Sequence, residues 1–423
     1  MKAPPQDSLG LYVSVPFCRS KCTYCNFASG VYPAGEHARY IARVAEEMTA
    51  ARAWAARIGA ELSRTADSVY LGGGTPTLLA PKLLEQLFAA MRAEFDVEPD
   101  AEITVECAPG TLSDDTLAAM AAAGVNRVSL GVQSFIDHEA AVSGRLHSRA
   151  TALDDMRRLR AAGMANLSVD LIAGLPGQTL ASWRESLAVL VDCGVSHASV
   201  YMLEVDEDSR LGRELLAHGA RYHAGLVPSD DAIVRMYSEA IETLARAGFE
   251  QYEISNFSRP GFASRHNLRY WQRRPYLGFG LDASSMLRAV AGSHAGEVMR
   301  ATTSCDLKTW FDRPQPEETI WLSRARQHEE AWFLGLRMQA GVDAAAVERA
   351  FGAKLAGRAL QAAARLKRKG LVAVEGRTIR LTDQGRLLSN DVFQEFLDLD
   401  ALADDTCVRD AHSEPLPREQ FIS

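Results

Sequence analysis

Three cysteines, Cys18, Cys22 and Cys25, stand at spacings of four and three in the segment CRSKCTYC. Thiolates grouped in this way bind metal. A structural zinc site takes four protein ligands, usually as two paired knuckles, and no second C-x-x-C occurs in the chain. An iron-sulfur cubane tied by only three thiolates leaves one iron with an open position, where a substrate or cofactor can bind. The competing reading, three ordinary buried cysteines, sits poorly with Arg19, Ser20 and Lys21 in the same loop. The chain holds seven cysteines, an odd and otherwise scattered set, which argues for reduced thiols and against a disulfide framework.

Other candidates stand where apolar runs end. GGGTPT (72 to 77) brings Gly73, Gly74 and Thr75 together, and glycines there let a ligand approach the backbone closely. It lacks the Lys-Ser/Thr pair of a P-loop and opens no dinucleotide fingerprint. Glu106 in TVECAPGT can accept hydrogen bonds from a hydroxyl or an ammonium, and Gln133 in LGVQSF offers an amide suited to a ribose. Asp170 in VDLIAGLPGQT lies within an apolar run, where a carboxylate is costly unless it has partners. Each alone reads equally well as a structural polar residue; three in succession at equivalent places read as a site.

These positions share a frame of alternating short β-branched runs and longer amphipathic stretches. LYVSVPF, DSVYLGG, AEITVEC, NRVSLGV, ANLSVDLIAG and SHASVYML read as six strands, each separated by helix, including helices near 36 to 58, 81 to 95, 113 to 122 and 180 to 192. That order predicts an α/β fold whose parallel sheet is built by right-handed crossovers. The strands read as apolar on both faces, as buried parallel strands do. Functional residues then belong in the loops after the strand C-termini, where all of those above fall.

After a helix near 229 to 247, the stretch from Phe249 to Met286 carries no regular pattern. TIWLSRARQHEEAWFLGLRMQ, DAAAVERAF and LAGRALQAAARLKRKG then read as helices, followed by strands LVAVEG and RTIRLT, an order resembling a winged helix. Its basic RLKRK could touch nucleic acid, but cations in a last helical turn before Gly370 also complement the helix dipole. The last twenty residues are polar and read as a disordered tail. With 423 residues and 47% hydrophobic content, the chain can bury a large core. Its net charge of -8 opposes generic nucleic-acid binding. No apolar run approaches a membrane span and MKAPPQDSLG lacks a secretory pattern, so the cytoplasm is the expected compartment.

CRSKCTYC, with Tyr24 just before the third cysteine and a strand before the first, resembles the radical S-adenosylmethionine superfamily. The resemblance implies a partial (β/α)6 barrel, a 4Fe-4S cluster on the three cysteines, and S-adenosylmethionine chelating the fourth iron. It further implies that Gly73, Gly74, Thr75, Glu106, Gln133 and Asp170 border that cofactor, that Arg145 in SGRLHSR pairs with its carboxylate, and that Tyr12 faces the cluster region. YVSVPFC, YLGGGTPTLL, SLGVQSF, DLIAGLPGQT and EISNF narrow the resemblance to the HemN-like branch, over about residues 10 to 395. The implied divisions are a core at 8 to 228, an extension at 229 to 318, a C-terminal winged-helix-like α+β domain at 319 to 400, and the tail at 401 to 423.

That branch contains oxygen-independent coproporphyrinogen III dehydrogenases, which act in porphyrin biosynthesis, and heme chaperones. The dehydrogenases commonly carry a fourth cysteine two residues after the third, where this chain has Phe27, and a longer N-terminal extension than the seventeen residues before Cys18. HNLRYW (266 to 271) matches the HNxxYW signature of the chaperones. The resemblance therefore implies heme as cargo, delivered to apo-haemoproteins such as respiratory enzymes, with the dehydrogenase as the alternative. It leaves room for a dimer and for peripheral membrane association. His266 is a candidate ligand of heme iron, Arg265 and Arg269 candidate partners of propionates, and Asn267, Tyr270 and Trp271 further candidate heme contacts. Ser284 stands where relatives often have histidine. A cluster-bearing regulator using the winged-helix-like domain is a third reading, against which the acidic charge counts.

Overall fold

The structure, a computed structural model, describes residues 8–397 apart from 291, 293, 314, 315 and 317. The tail expected at 401 to 423 lies outside the described residues. Six strands, β1 (Leu9–Val15), β2 (Thr65–Gly73), β3 (Asp96–Cys107), β4 (Arg127–Gln133), β5 (Asn166–Ala173) and β6 (His197–Met202), lie side by side and parallel in chain order. Helices cross between them, three of which start on side-chain caps, with Ser113, Ser148 and Thr179 each accepting from the backbone N–H three residues on. The expected six-stranded α/β frame is present.

The sheet is wider than the sequence indicates. β7 (Glu250–Gln251) and β8 (Asn256–Ser258) extend it antiparallel beyond β6. β9 (Tyr276–Phe279) joins parallel to β1, and β10 (Ser284–Arg288), β11 (Val298–Thr302) and β12 (Glu318–Leu322) continue antiparallel. The order β12-β11-β10-β9-β1-β2-β3-β4-β5-β6-β8-β7 leaves β12 and β7 as separate edges, so the sheet stays open. The patternless stretch 249 to 286 thus holds four strands and the helix Arg265–Trp271. TIWL, read as the start of a helix, is β12 instead; Ser323 then caps the helix Arg324–Arg337. The expected boundary at 319 falls inside β12.

The reading of strands apolar on both faces is corrected. Side chains alternate along a strand, and one face alone is apolar: Leu9, Leu11, Val13 and Val15, with Val69, Leu71, Val105, Val128, Leu130, Val169, Leu171 and Val200, form the core under the crossover helices. The other face presents Tyr12, stacked on Tyr70, and Ser68, Tyr70, Glu102, Glu106, Ser129, Asp170, Ser168 and His197, bonded across strands to one another or to the helix Arg265–Trp271. Tyr70 donates to Glu106 (2.8 Å), Ser129 to Asp170 (3.1 Å), and Ser68 and Ser168 meet ring nitrogens of His266 (3.1 Å) and His197 (2.7 Å). A polar inner face is what a strand needs if its ends are to hold a polar ligand.

The C-terminal unit packs the helices Arg324–Arg337, Ala344–Phe351 and Ala353–Arg368 on a small sheet of β13 (Val342–Asp343), β14 (Val372–Glu375) and β15 (Thr378–Leu381), around Trp332, Ala359, Ala363, Leu366 and Phe396. The basic run at the end of its third helix is partly spent on ion pairs: Arg365 and Lys369 both meet Glu395, at 3.0 and 3.1 Å.

Candidate functional site

Cys18, Cys22 and Cys25 are half-buried and line one cavity of about 740 Å³ at the C-terminal ends of the parallel strands. The loop that carries them is held from several sides. Cys18 N–H donates to Gly30 O (2.8 Å), Thr23 N–H to Ser143 O (3.0 Å), Ser20 Oγ to Gly144 O (2.9 Å) and Asn26 Nδ2 to Asp206 Oδ2 (2.6 Å), while Arg210 donates to Lys21 O. Among the described residues, no three His, Cys, Asp or Glu side chains are placed to hold a single metal ion. A cubane, in which each thiolate takes its own iron, makes no such demand.

The same cavity is lined by Gly73, Gly74, Thr75, Glu106, Gln133, Arg145, Asp170 and Trp271. Gly74 has a structural reason of its own: a Cβ there would sit 2.7 Å from Val15 O and 2.9 Å from Phe17 N. Its N–H donates to Val15 O (2.9 Å) and that of Thr75 to Phe17 O (2.8 Å), docking the glycine turn onto the chain that leads into Cys18. Gly73 adopts φ 95°, the left-handed region that favours glycine.

Gln133 is the most informative. It too has positive φ, 67°, unusual for a residue with a side chain, at a register shift between β4 and β5 that re-aims it. Its Oε1 is buried and has no hydrogen-bond partner among the described residues, although buried acceptors are nearly always satisfied. Asn256 Oδ1, which lines the same cavity, is likewise unpartnered among the described residues. Arg145 is half-buried, with its Nε donating to Tyr24 OH (3.2 Å). Burial opposes its charge, but Tyr24 and the Cys22 and Cys25 thiols outweigh this and hold its pKa above the ordinary value. This set fits a polar cofactor with a carboxylate and hydroxyls beside a three-thiolate cluster.

Burial raises the pKa of Glu106 to about 7, despite the bond from Tyr70, and that of Asp170 rises from the same cause. A carboxyl whose folded pKa exceeds its unfolded value costs stability above the folded pKa and costs nothing below the unfolded one. Glu106→Gln is therefore expected to raise stability at pH 8 by roughly 2–3 kcal/mol in the cofactor-free protein. The gain should shrink as pH falls through 7 towards 4.5, which urea denaturation at several pH values would read.

The structure does not bring the HNLRYW residues together on the cavity. Only Trp271 of the six lines it. His266 is fully buried, and its two ring nitrogens meet Ser68 Oγ (3.1 Å) and Tyr270 OH (2.8 Å). Arg269, also buried, pairs with Asp67 and donates to Ser8 O and Pro275 O, both at 2.8 Å. Arg265 donates to Asp100 O (2.7 Å), and Asn267 and Tyr270 are enclosed. The expected heme ligation by His266 and propionate contact by Arg269 do not fit: the atoms needed already serve the packing of this helix under the sheet. Tyr12 stacks at 6.1 Å on Tyr70, and its OH stands 3.4 Å from where a Cβ on Gly73 would be, beside the glycine turn of the cavity. Ser284 lies exposed at the start of β10, away from the cavity.

Sequence reasoning passed over Tyr201, Glu253, Asn256, Arg337 and the segment Leu387 to Asp391, all of which line the cavity. The alternation in SVYM and the polar EISNF were signals for the first three. For the last segment, contributed by the C-terminal unit, the sequence offered none.

Comparison with known proteins agrees with this arrangement. The radical SAM superfamily pattern matches residues 12–190, and that of the HemN C-terminal domain matches 322–388. The heme chaperone HemW of Lactococcus lactis is 33% identical over 388 residues, 91% of this chain and 96% of the relative. That of Bacillus subtilis is 33% identical over 387 residues, 91% and 98% of the two chains. The solved structure of Escherichia coli coproporphyrinogen III oxidase (HemN), a radical SAM enzyme, superposes with TM-score 0.77 over 93% of this chain and 91% of that one, at 23% identity, a likeness of fold. With 33% identity along nine-tenths of the chain and both domain patterns matched, the chain belongs to the HemN-like branch of the radical S-adenosylmethionine superfamily, the family of the proteins named HemW.

Proposed function

We propose that this protein is a heme chaperone that carries a 4Fe-4S cluster with S-adenosylmethionine and passes heme to apo-haemoproteins such as respiratory enzymes. The observation that carries the reading is the match to proteins named heme chaperone HemW along nine-tenths or more of both chains. Phe27 in place of the extra cysteine of the dehydrogenases agrees with it. The coproporphyrinogen III dehydrogenase reading rests on the likeness of fold to HemN, which carries no chemistry by itself.

Cys18, Cys22 and Cys25 would hold the cluster, which when bound supplies electrons and an open iron for the amino and carboxylate groups of S-adenosylmethionine. Arg145, half-buried beside Cys22 and Cys25, would meet that carboxylate with a fixed guanidinium fork. The unpartnered Gln133 Oε1 would accept from the ribose, and Asp170 and Glu106 would take the remaining donors. Arg145→Ala is expected to weaken S-adenosylmethionine binding about ten- to a hundredfold, the loss of one charge-assisted contact, while leaving iron content unchanged. Equilibrium dialysis against the reconstituted protein would measure it.

For heme, the enclosed His266 is set aside as ligand. Leu146, 73% exposed, and Leu388, 41% exposed, both line the mouth of the cavity, from opposite units of the chain. An exposed apolar rim suits the face of a macrocycle. Leu146→Asp is expected to weaken heme binding about tenfold or more, the loss of one buried leucine, whereas His266→Ala leaves the Soret band in place. Heme titration of the three proteins tests the assignment; a Soret band lost only in His266→Ala would return the ligand to the helix.

A further inference from the structure

A second cavity, of about 270 Å³, shares no lining residue with the first. It lies where β10 and β11 meet the helices Arg324–Arg337 and Ala344–Phe351, at the junction of the widened sheet and the C-terminal unit. Arg273, Arg288 and Arg324 line it, with Glu330 as the one carboxylate. Glu330 is already taken: Arg300 Nη2 and Nε reach its Oε1 at 2.8 and 3.2 Å. Among the described residues, Arg288 and Arg324 meet no carboxylate, and Arg273 has only Glu330, whose charge it shares with Arg300. Arg324 donates to Ala350 O (2.6 Å) and Arg273 to Gln327 O (3.0 Å), carbonyls that neutralise nothing. Arg288, exposed on β10, makes no side-chain hydrogen bond or ion pair among the described residues.

Arg273 occupies its place at a cost. It follows the helix Arg265–Trp271 in the left-handed region, φ 52°, where glycine is the default helix stop. The backbone there does what a glycine would do, with Arg273 N–H bonded to Tyr270 O (3.0 Å) and Arg274 N–H to Arg269 O (2.9 Å). The side chain that burdens this turn stacks on Phe351 at 5.4 Å and brings a third cation to a cavity already short of anions. Burial lowers its pKa, and Arg300 and Arg288 add to the effect against the pull of Glu330. Like charges are gathered here against both backbone preference and mutual repulsion, which an anionic ligand would relieve. The first turn of the helix Arg324–Arg337 adds its positive dipole end, and Met286, Val298, Ala350 and Phe351 supply an apolar wall.

We propose that this cavity binds a small organic molecule bearing a multiply charged oxyanion, a phosphate ester or a dicarboxylate, gripped by Arg273, Arg288 and Arg324. The proposal stands apart from the heme reading. The test uses the cluster-loaded full chain, titrated calorimetrically and by thermal shift with phenyl phosphate and with succinate, each against sodium chloride of equal ionic strength. A saturable response is expected to at least one probe. Phenyl phosphate alone identifies a phosphate site, succinate alone a dicarboxylate site, and both an oxyanion site without preference; each outcome supports the proposal. Arg288→Ala and Arg273→Gly should each weaken the response about ten- to a hundredfold. The second also relieves the left-handed turn, so it should fold. No saturable response beyond chloride from either probe, or wild-type affinity in both variants, overturns it.

Discussion

Replacing any one of Cys18, Cys22 and Cys25 by alanine is expected to abolish the cluster outright. Reconstituted wild-type protein should carry about four irons and four sulfides per chain, the content of a cubane, and each variant close to none. Four cysteines line the cavity, not three, so the outcome is a real choice. Cys107 is the fourth, but its side chain is closed in at the end of β3 and its pKa is pushed up to about 12, by burial first and then by Asp155. A thiol that keeps its proton is a poor ligand. Cys107→Ala and Cys193→Ala should therefore load like the wild type. The loop's backbone contacts to Gly30 and Ser143 do not involve the thiols, so the three variants should remain folded, and iron and sulfide analysis reads the cluster alone. Normal loading of Cys22→Ala, or loss in Cys107→Ala, would contradict the ligand set.

The largest loss of stability should come from the opposite end of the strands. Asp67, 1% exposed, accepts from Arg269, from Arg274 Nη2 (2.9 Å) and from Ser8 Oγ (2.8 Å), tying β2 to the chain before β1 and to the helix that carries HNLRYW. Gly10 makes room for this: a Cβ there would lie 2.4 Å from Arg269 Cδ. Removing one member of a buried pair leaves its partner charged and without compensation, at a cost of about 3–5 kcal/mol. Asp67→Ala is expected to lose that much, read from the urea midpoint and slope. Arg269→Met, which removes the charge and keeps an apolar stem, should lose less. A surface-like change below about 1 kcal/mol in Asp67→Ala would mean that the pair is not the clamp the geometry makes it.

The same pair explains where sequence reading stopped. Cys18, Cys22, Cys25, Gly73, Gly74, Glu106 and Gln133 were legible because each ends or follows a short apolar run, Asp170 because a carboxylate stands inside one, and Arg145 only through the resemblance; the structure gathers them on one cavity. Arg269 and His266 were misread as ligand-facing because a short motif has chemistry but no direction. Only their partners Asp67, Ser68 and Tyr270, two of them some two hundred residues away, reveal that they face inward. The strands β9 to β12 were missed for a related reason. Each is four or five residues long and is defined by pairing with a distant neighbour rather than by its own pattern. The inner face of the sheet was legible in principle, since EITVE and SVDL alternate polar with apolar; assuming a core on both sides hid it.

One anaerobic preparation, loaded with cluster, reductant and S-adenosylmethionine, tests the central claim when it is given coproporphyrinogen III in one portion and heme in another. A dehydrogenase must oxidatively decarboxylate propionate side chains to vinyl groups, releasing CO2 and consuming S-adenosylmethionine as the hydrogen acceptor, whereas a chaperone must only bind and release its cargo. The account predicts about one heme bound per chain, transferable to an apo-haemoprotein, with no protoporphyrinogen IX formed. Sustained conversion of coproporphyrinogen III, with heme neither retained nor transferred, would contradict it.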